Sequence, residues 1–252
     1  MINNSLGVRF PNMDVNSGSA TCATCQTKAR GAGAGDSSSQ CGYLEHVVTI
    51  RKRIKRGAVL YNGGDKFASL FYVRTGFFKT CVSARDGREQ VTGFHMMGDL
   101  LGMDGIATGQ LTTDAVALED SEVWTMSFDL IEQYSSECPS LRFFFLKTIS
   151  NEVVRLQSLA LLLGSLRSEE RVAVFLTSLL EKLKSRGLSQ SEVLLRMSRD
   201  EIGSFLGIRQ ETVSRLLRLF SEKRILHVDN RHIRVLDGNG LKNMAESPGA
   251  LH

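Results

Sequence analysis

At Pro139 the spacing of apolar residues changes, and this limits the chain to folds that segregate strands from helices. From about residue 41 to Pro139 the apolar residues come in short runs punctuated by Gly and Asp. These are "AVLYNGGD", "SLFYVRTGFFKTCVS", "EQVTGFHMMGDLLG", "TTDAVALED" and "SEVWTMS". Such runs predict antiparallel strands in a sandwich or barrel. The Asp-Gly pair in "ARDGRE" predicts a hairpin between two of them. After Pro139 the period is helical. Leu146, Ile149, Val153, Leu156, Ala160 and Leu163 step by three and four, as in a seam along which two helices lie. One helix buried in its own core has the same period; persistence over several turns between two domains favours a dimer seam. Leu159, Leu161 and Leu162 widen the apolar surface beyond that stripe.

Two further helical patterns follow. "RSEERVAVFLTSLLEKLKSRG" predicts an amphipathic helix ended by Gly187 at its cap, with Lys184 and Arg186 in the last turn. In "SRDEIGSFLGIRQETVSRLLRLFSEKRILHV", Ser198 and Glu201 form a capping box that starts a helix through Phe205 and Leu206. Gly207 permits a sharp turn, and Ile208, Val213, Leu216, Leu217 and Phe220 supply the buried face of the next helix. "ILHV", "DNRH" and "IRVLD" predict two short strands joined by a turn, a wing.

Burial does not require Gln210, Glu211, Ser214 and Arg215, which share the remaining face of that last helix. A helix-turn-helix puts the start of its second helix into the major groove. There Arg215 can donate two hydrogen bonds to guanine O6 and N7, and Glu211 can accept from cytosine N4. Glu211 and Arg215, four apart, can also form an ion pair, which in the free protein would hold both side chains extended. Arg209, Arg218, Lys223 and Arg224, with Arg231 and Arg234, are placed to meet phosphates. A solvated helix face explains each feature singly, but box, glycine turn, apolar spacing and wing occur together and in order.

The bulk properties permit this reading. A chain of 252 residues with 42% hydrophobic and 23% charged residues has the composition of a soluble two-domain protein, and a net charge of +4 allows a nucleic-acid partner without demanding one. No apolar run reaches the roughly 20 residues that span a bilayer, "MINNSLGVRF" has no secretory pattern, and five cysteines is an odd count. A cytoplasmic protein without membrane contact is expected. Residues 1–40 are rich in Ser, Gly, Asn and Thr and predict a flexible arm. Its Cys22-x-x-Cys25 leaves three readings: a remnant, a dithiol redox pair, or part of a metal site. His95 is expected as a hydrogen-bonded structural residue in a strand.

"GFHMMGDLLGMDGI", "LLLGSLRSEERVAVFL" and "MSRDEIGSFLGIRQETVSRLLRLF" together resemble the CRP/FNR family of bacterial transcription regulators, its FNR branch in particular. The resemblance covers nearly all of the chain from about residue 41. It implies an α+β fold: an N-terminal antiparallel β-roll of the cyclic-nucleotide-binding type, a long dimerisation helix and a C-terminal winged helix-turn-helix. The expected divisions are the arm at 1–40, the roll at 41–138, the dimerisation helix at 139–167, the winged domain at 168–240 and a flexible tail at 241–252. The implied function is a dimeric activator that reads a TTGAT-type palindrome through Glu211, Ser214 and Arg215. Gln210 stands where other branches place an arginine and the FNR branch an apolar residue, so its base preference is not implied. The implied partners are double-stranded DNA, a second copy and RNA polymerase. The hairpin at Asp86, Gly87 and Arg88 matches a polymerase-touching region, with Arg88 where an acid is usual.

The resemblance also brings two ligands to test. Cyclic nucleotide requires a Gly-Glu pair and an arginine; here Asp99 replaces the Glu and no arginine stands near Thr113 to neutralise a phosphate. That ligand is not expected. The FNR branch holds an iron–sulfur cluster on four cysteines. Cys22 and Cys25 match the first two, the third falls near Gly31 and the fourth on Trp124. Cys41, Cys81 and Cys138 are the substitutes available, but Cys41 is displaced and Cys138 lies at the helix entrance, so the standard ligand set is incomplete and no cofactor is assigned. Oxygen-responsive relatives carry an acid in the dimer helix at the position of Leu156, and an apolar residue there predicts a dimer that needs no cofactor. The alternatives are a regulator switched by redox or metal chemistry at Cys22 and Cys25, and a cupin-like metalloenzyme. The latter would need converging histidines, and only His46 and His95 lie in the roll.

Overall fold

Short runs of β-branched and aromatic residues build strands in the first half of the chain. The computed structural model describes residues 44–245 apart from 45, 84–86, 88 and 190, so Cys22, Cys25, Asp86 and Arg88 lie outside the described residues. The strands are β1 (Val48–Ile54), β2 (Val59–Tyr61), β3 (Ser69–Thr75), β4 (Phe77–Ser83), β5 (Glu89–Met96), β6 (Leu100–Leu101), β7 (Asp114–Ala117) and β8 (Ser121–Ser127). They form two four-stranded sheets, ordered β1-β8-β3-β6 and β2-β7-β4-β5, with antiparallel pairing between neighbours. Tyr61, Phe78, Ala115 and Ala117 from one sheet pack with Phe71, Val73, Leu101 and Val123 from the other, which makes the roll's core. The β4–β5 hairpin forms where Asp-Gly predicted it, with Ser83 opposite Glu89.

Two elements of this half escape the sequence pattern. Strand β1 carries Arg51, Lys52 and Arg53 at its centre, so its apolar alternation is broken; it is an edge strand, where charge is tolerated and discourages further pairing. Helix α1 (Phe128–Glu137) follows β8 directly, ahead of Pro139. Helical structure therefore starts eleven residues earlier than the sequence division placed it (139 − 128). Pro139 instead opens α2 (Pro139–Ser165), where its missing N–H costs nothing. Ile131, Cys138, Leu141 and Phe145 from these helices pack on Leu44, Val47, Leu70, Leu100 and Met126, a second core on the other face of the β1–β8–β3–β6 sheet.

The described chain divides into two units, one running to Ser150 and the other starting at Asn151, within α2. The second unit continues through α3 (Ser168–Ser185), β9 (Glu192–Leu194), α4 (Arg199–Leu206), α5 (Gln210–Glu222), β10 (Leu226–Asp229), β11 (His232–Val235) and α6 (Gly238–Ala245). Helix α3 ends one residue before its expected cap: Arg186 caps it and Gly187 follows at φ 73. The wing gains a third strand, because the short β9 pairs with β11. Residues 241–245, expected in a flexible tail, belong to α6, whose Leu241 is buried. Among the described residues no helix is long and apolar enough to cross a membrane.

Candidate DNA interface

Reciprocal hydrogen bonds at Ser198 and Glu201 start α4. The Glu201 N–H donates to Ser198 Oγ at 3.1 Å, and the Ser198 N–H donates to Glu201 Oε2 at 2.7 Å. Ile202, Phe205 and Leu206 turn inward. The helix stops at Gly207, which lies in the left-handed region at φ 63, ψ 36, where a side chain would be strained. Gly203 sets how closely the next helix approaches: a methyl there would stand 2.6 Å from the Ile208 carbonyl oxygen and 3.2 Å from the Gln210 nitrogen. Only hydrogen fits.

Helix α5 begins at Gln210, with Val213, Leu216, Leu217 and Phe220 buried. Gln210, Glu211, Ser214, Arg215 and Arg218 occupy the opposite, exposed face. A Glu211–Arg215 ion pair, which the spacing allows, does not form in the structure. Glu211 instead meets the Gln210 side-chain amide at 3.4 Å, and Arg215 has no protein hydrogen-bond partner among the described residues. An exposed i,i+4 pair is worth only a few tenths of a kcal/mol, too little to fix a long side chain.

Of the six cations expected at phosphates, Arg209, Arg218, Lys223, Arg224 and Arg234 are exposed and Arg231 is half-buried. Arg218 pairs with Glu222 at 3.0 Å and Lys223 with Glu169 at 3.1 Å. Such surface pairs are worth about 0–1 kcal/mol and yield easily to a stronger anion. Arg209 and Arg224 have no ion pair among the described residues. In the wing, Arg234 is committed to Glu192 at 2.6 Å, and His232 lies 3.5 Å from the same carboxylate.

One residue that sequence reading missed holds this unit together. The Arg171 guanidinium donates to the carbonyls of Leu163 at 2.8 Å, Leu166 at 2.9 Å and Leu206 at 2.9 Å. It thus ties the end of α2 to the end of α4, just before the Gly207 turn. Leu163, the last member of the expected seam, is drawn the same way; it is half-buried, with Cδ2 within 3.4 Å of the place a Gly207 side chain would take. The other seam residues, Leu146, Ile149, Val153, Leu156 and Ala160, are exposed along α2, as is Phe143.

In the roll, Asp99 is buried and its Oδ2 accepts the Met96 N–H at 2.9 Å, a turn-forming contact. The backbone N–H groups and hydroxyls of Thr112 and Thr113, ahead of β7, all donate to one oxygen of Asp104, at 2.8–3.1 Å. An internal carboxylate thus already sits on those donors. His95 is buried, with Nε2 3.1 Å from Thr80 Oγ1. Trp124 is buried beneath the guanidiniums of Arg51 and Arg74, 5.0 and 5.5 Å from its ring centroid. No sulfur stands at the fourth ligand position that the resemblance brings, so a four-thiolate cluster in the usual arrangement does not fit.

Comparison with known proteins places this geometry. Residues 51–137 match the profile of the cyclic nucleotide-binding domain, and residues 170–244 match that of the Crp-like helix-turn-helix domain. The chain is 36% identical to the transcriptional regulatory protein btr of Bordetella pertussis, over 89% of this chain and 93% of that protein. It is 37% identical to the fumarate and nitrate reduction regulatory protein of Yersinia pestis, over 81% and 82% of the two chains. Among solved structures, FixK2 from Bradyrhizobium japonicum superposes with a TM-score of 0.69 at 26% identity, covering 77% of this chain and 96% of that one. CooA from Carboxydothermus hydrogenoformans shares the fold at a TM-score of 0.64 and 21% identity, over 81% of this chain and 90% of that one. These relatives are regulators, not enzymes, and the chain belongs to the CRP/FNR family of DNA-binding transcription regulators.

Proposed function

We propose that this regulator binds a TTGAT-type palindrome as a homodimer and activates transcription there by contacting RNA polymerase. Glu211, Ser214 and Arg215 read base edges, with Gln210 at the rim, and Arg209, Arg218, Lys223 and Arg224 meet the backbone. The observation that carries the reading is the state of Arg215. It stands exposed and without a protein partner on the face of α5 opposite Val213, Leu216, Leu217 and Phe220. A guanidinium kept free at that position suits a bidentate contact to guanine.

Pairing of two copies would cover the exposed stripe of Ile149, Val153, Leu156 and Ala160 and present the two reading helices at matching half-sites. The test is a gel-shift series on half-site variants. Arg215→Ala should lose preference at one base pair, about 1–3 kcal/mol, and keep residual binding. Discrimination equal to the parent protein would count against the assignment.

A second reading, redox control through Cys22 and Cys25, is favoured by the similarity to a fumarate and nitrate reduction regulator. A thiol titration with DNA binding measured before and after oxidation separates it from constitutive activity.

A further inference from the structure

Ahead of β7, more donors converge on one oxygen than it can serve well. Asp104 sits in a single 3-10 turn (Met103–Gly105). Its Oδ2 accepts the Thr112 N–H and hydroxyl, each at 2.8 Å, the Thr113 N–H at 3.0 Å and the Thr113 hydroxyl at 3.1 Å. A carboxylate oxygen offers about two lone-pair directions, so these donors exceed its capacity. Oδ1 receives no hydrogen bond among the described residues. Two successive backbone N–H groups with hydroxyls beside them make a concave cradle of the kind that holds small anions. Behind it, β2 sets Tyr61 opposite Ala115, two residues past Thr113. The Tyr61 hydroxyl is buried and makes no hydrogen bond of good geometry. Burial, and next the charge of Asp104, raise its pKa above the usual tyrosine value, so it stays a protonated donor at this place.

The donors are held in place by backbone bonds that do not involve Asp104. Thr112 follows Leu111, whose N–H donates to the Asp65 carbonyl and whose carbonyl accepts the Gly64 N–H. On the other side, Gly102 at φ 87 lets the chain enter the 3-10 turn, and Gly105 lies so close to Phe67 that a methyl there would stand 2.6 Å from the ring. No cation is bonded to Asp104 among the described residues, and Asp114 is committed to the Gly63 N–H at 2.7 Å and the Ser83 hydroxyl at 3.1 Å. One negative charge is therefore held by neutral donors, and a replacement has to carry the same single charge. Thr112 is exposed, and Thr113 and Asp104 are half-buried, so the cradle is open to solvent on one side.

We propose that Thr112 and Thr113 form a site for a small, singly charged oxyanion, and that the chain keeps this site shut with its own Asp104. The roll is self-liganded in this sense whatever α5 reads. An anion from solution has to displace a tethered carboxylate, whose effective concentration is high, so the parent protein stays closed to it. The same contact latches the 3-10 turn to the start of β7.

The test uses the full-length protein, formate as the probe and chloride at equal ionic strength as the control. Asp104→Ala removes the carboxylate and leaves its donors, so thermal unfolding should come about 5 °C lower than in the parent. Formate restores the missing group and should bind this variant with a dissociation constant of about 1–10 mM, the scale its few heavy atoms allow. At about 50 mM it should return most of the lost melting temperature, and the effect should saturate. The parent should show no such shift. Thr113→Val added to the variant deletes one donor and should weaken the formate response about tenfold. If Asp104→Ala does not fold in chloride, the yield of folded protein on refolding is read instead, and formate should raise it. A variant that formate helps no more than chloride makes Asp104 a structural tie alone and overturns the site. A parent that formate stabilises as much as the variant also overturns it, because the anion then acts elsewhere.

Discussion

Arg171 sits in a helix whose inward face is otherwise apolar, from Val172 to Leu180, and its head group ends on three carbonyls. Leu163 belongs to the last turn of α2, Leu166 follows that helix directly, and Leu206 ends α4, so the carbonyls lie at helix ends where intrahelical donors run out. Arg171→Ala leaves all three without that donor. The unfolding free energy should fall by about 2–3 kcal/mol in a denaturant titration, and an unchanged midpoint would show that water replaces the guanidinium freely. Cys81 makes a second prediction at this scale. Burial, reinforced by the nearby Glu89 carboxylate, pushes its thiol up to about 12. The thiol should stay protonated and resist alkylation at pH 8 until denaturant is added. In the unfolded chain it ionises near 9.0, so between there and about 12 the unfolded state holds fewer protons. Its contribution to stability is thus complete below pH 9 and declines as pH rises through that window.

At the scale of elements, what the sequence disclosed had short-range causes. The Ser198–Glu201 box, the turn at Gly207 and the inward stripe of α5 each depend on residues within four positions, and each forms as expected. Ser198→Ala should cost about 1 kcal/mol by the same measurement, because one cap oxygen serves one backbone donor. What stayed hidden depended on distant partners or on weak preferences. Arg171 joins residues far apart in sequence, and β1 is a strand only because β8 pairs with it along its length. Glu211 turned to Gln210 rather than Arg215 because rotamers on an exposed helix differ by little. The apolar stripe expected on α2 is exposed as far as Ala160, and Leu163 at its end is half-buried against the Gly207 turn. Leu156→Glu tests the rest. It removes about 1.5–3 kcal/mol of burial per chain and sets two like charges together. The dimer should weaken by about a hundredfold or more, seen as monomer in sedimentation at concentrations where the parent pairs.

At the scale of the molecule, the arrangement suits assembly without a bound ligand. Asp104 already fills the donors at Thr112 and Thr113, Trp124 stands where a thiolate would be needed, and Leu156 brings no charge to the seam. Metal-free protein should therefore sediment as a dimer at micromolar concentration. A monomer that pairs only after anaerobic reconstitution with iron and sulfide would overturn this.

The burial of Trp124 in the roll has a practical consequence. It is the only tryptophan in the chain, and the four tyrosines, at positions 43, 61, 72 and 134, also precede Asn151. Near-ultraviolet emission therefore reports on the amino-terminal unit alone, while the half that grips DNA is optically silent. Melting curves followed by fluorescence and by far-ultraviolet dichroism should separate if the halves unfold independently, with no label attached to either.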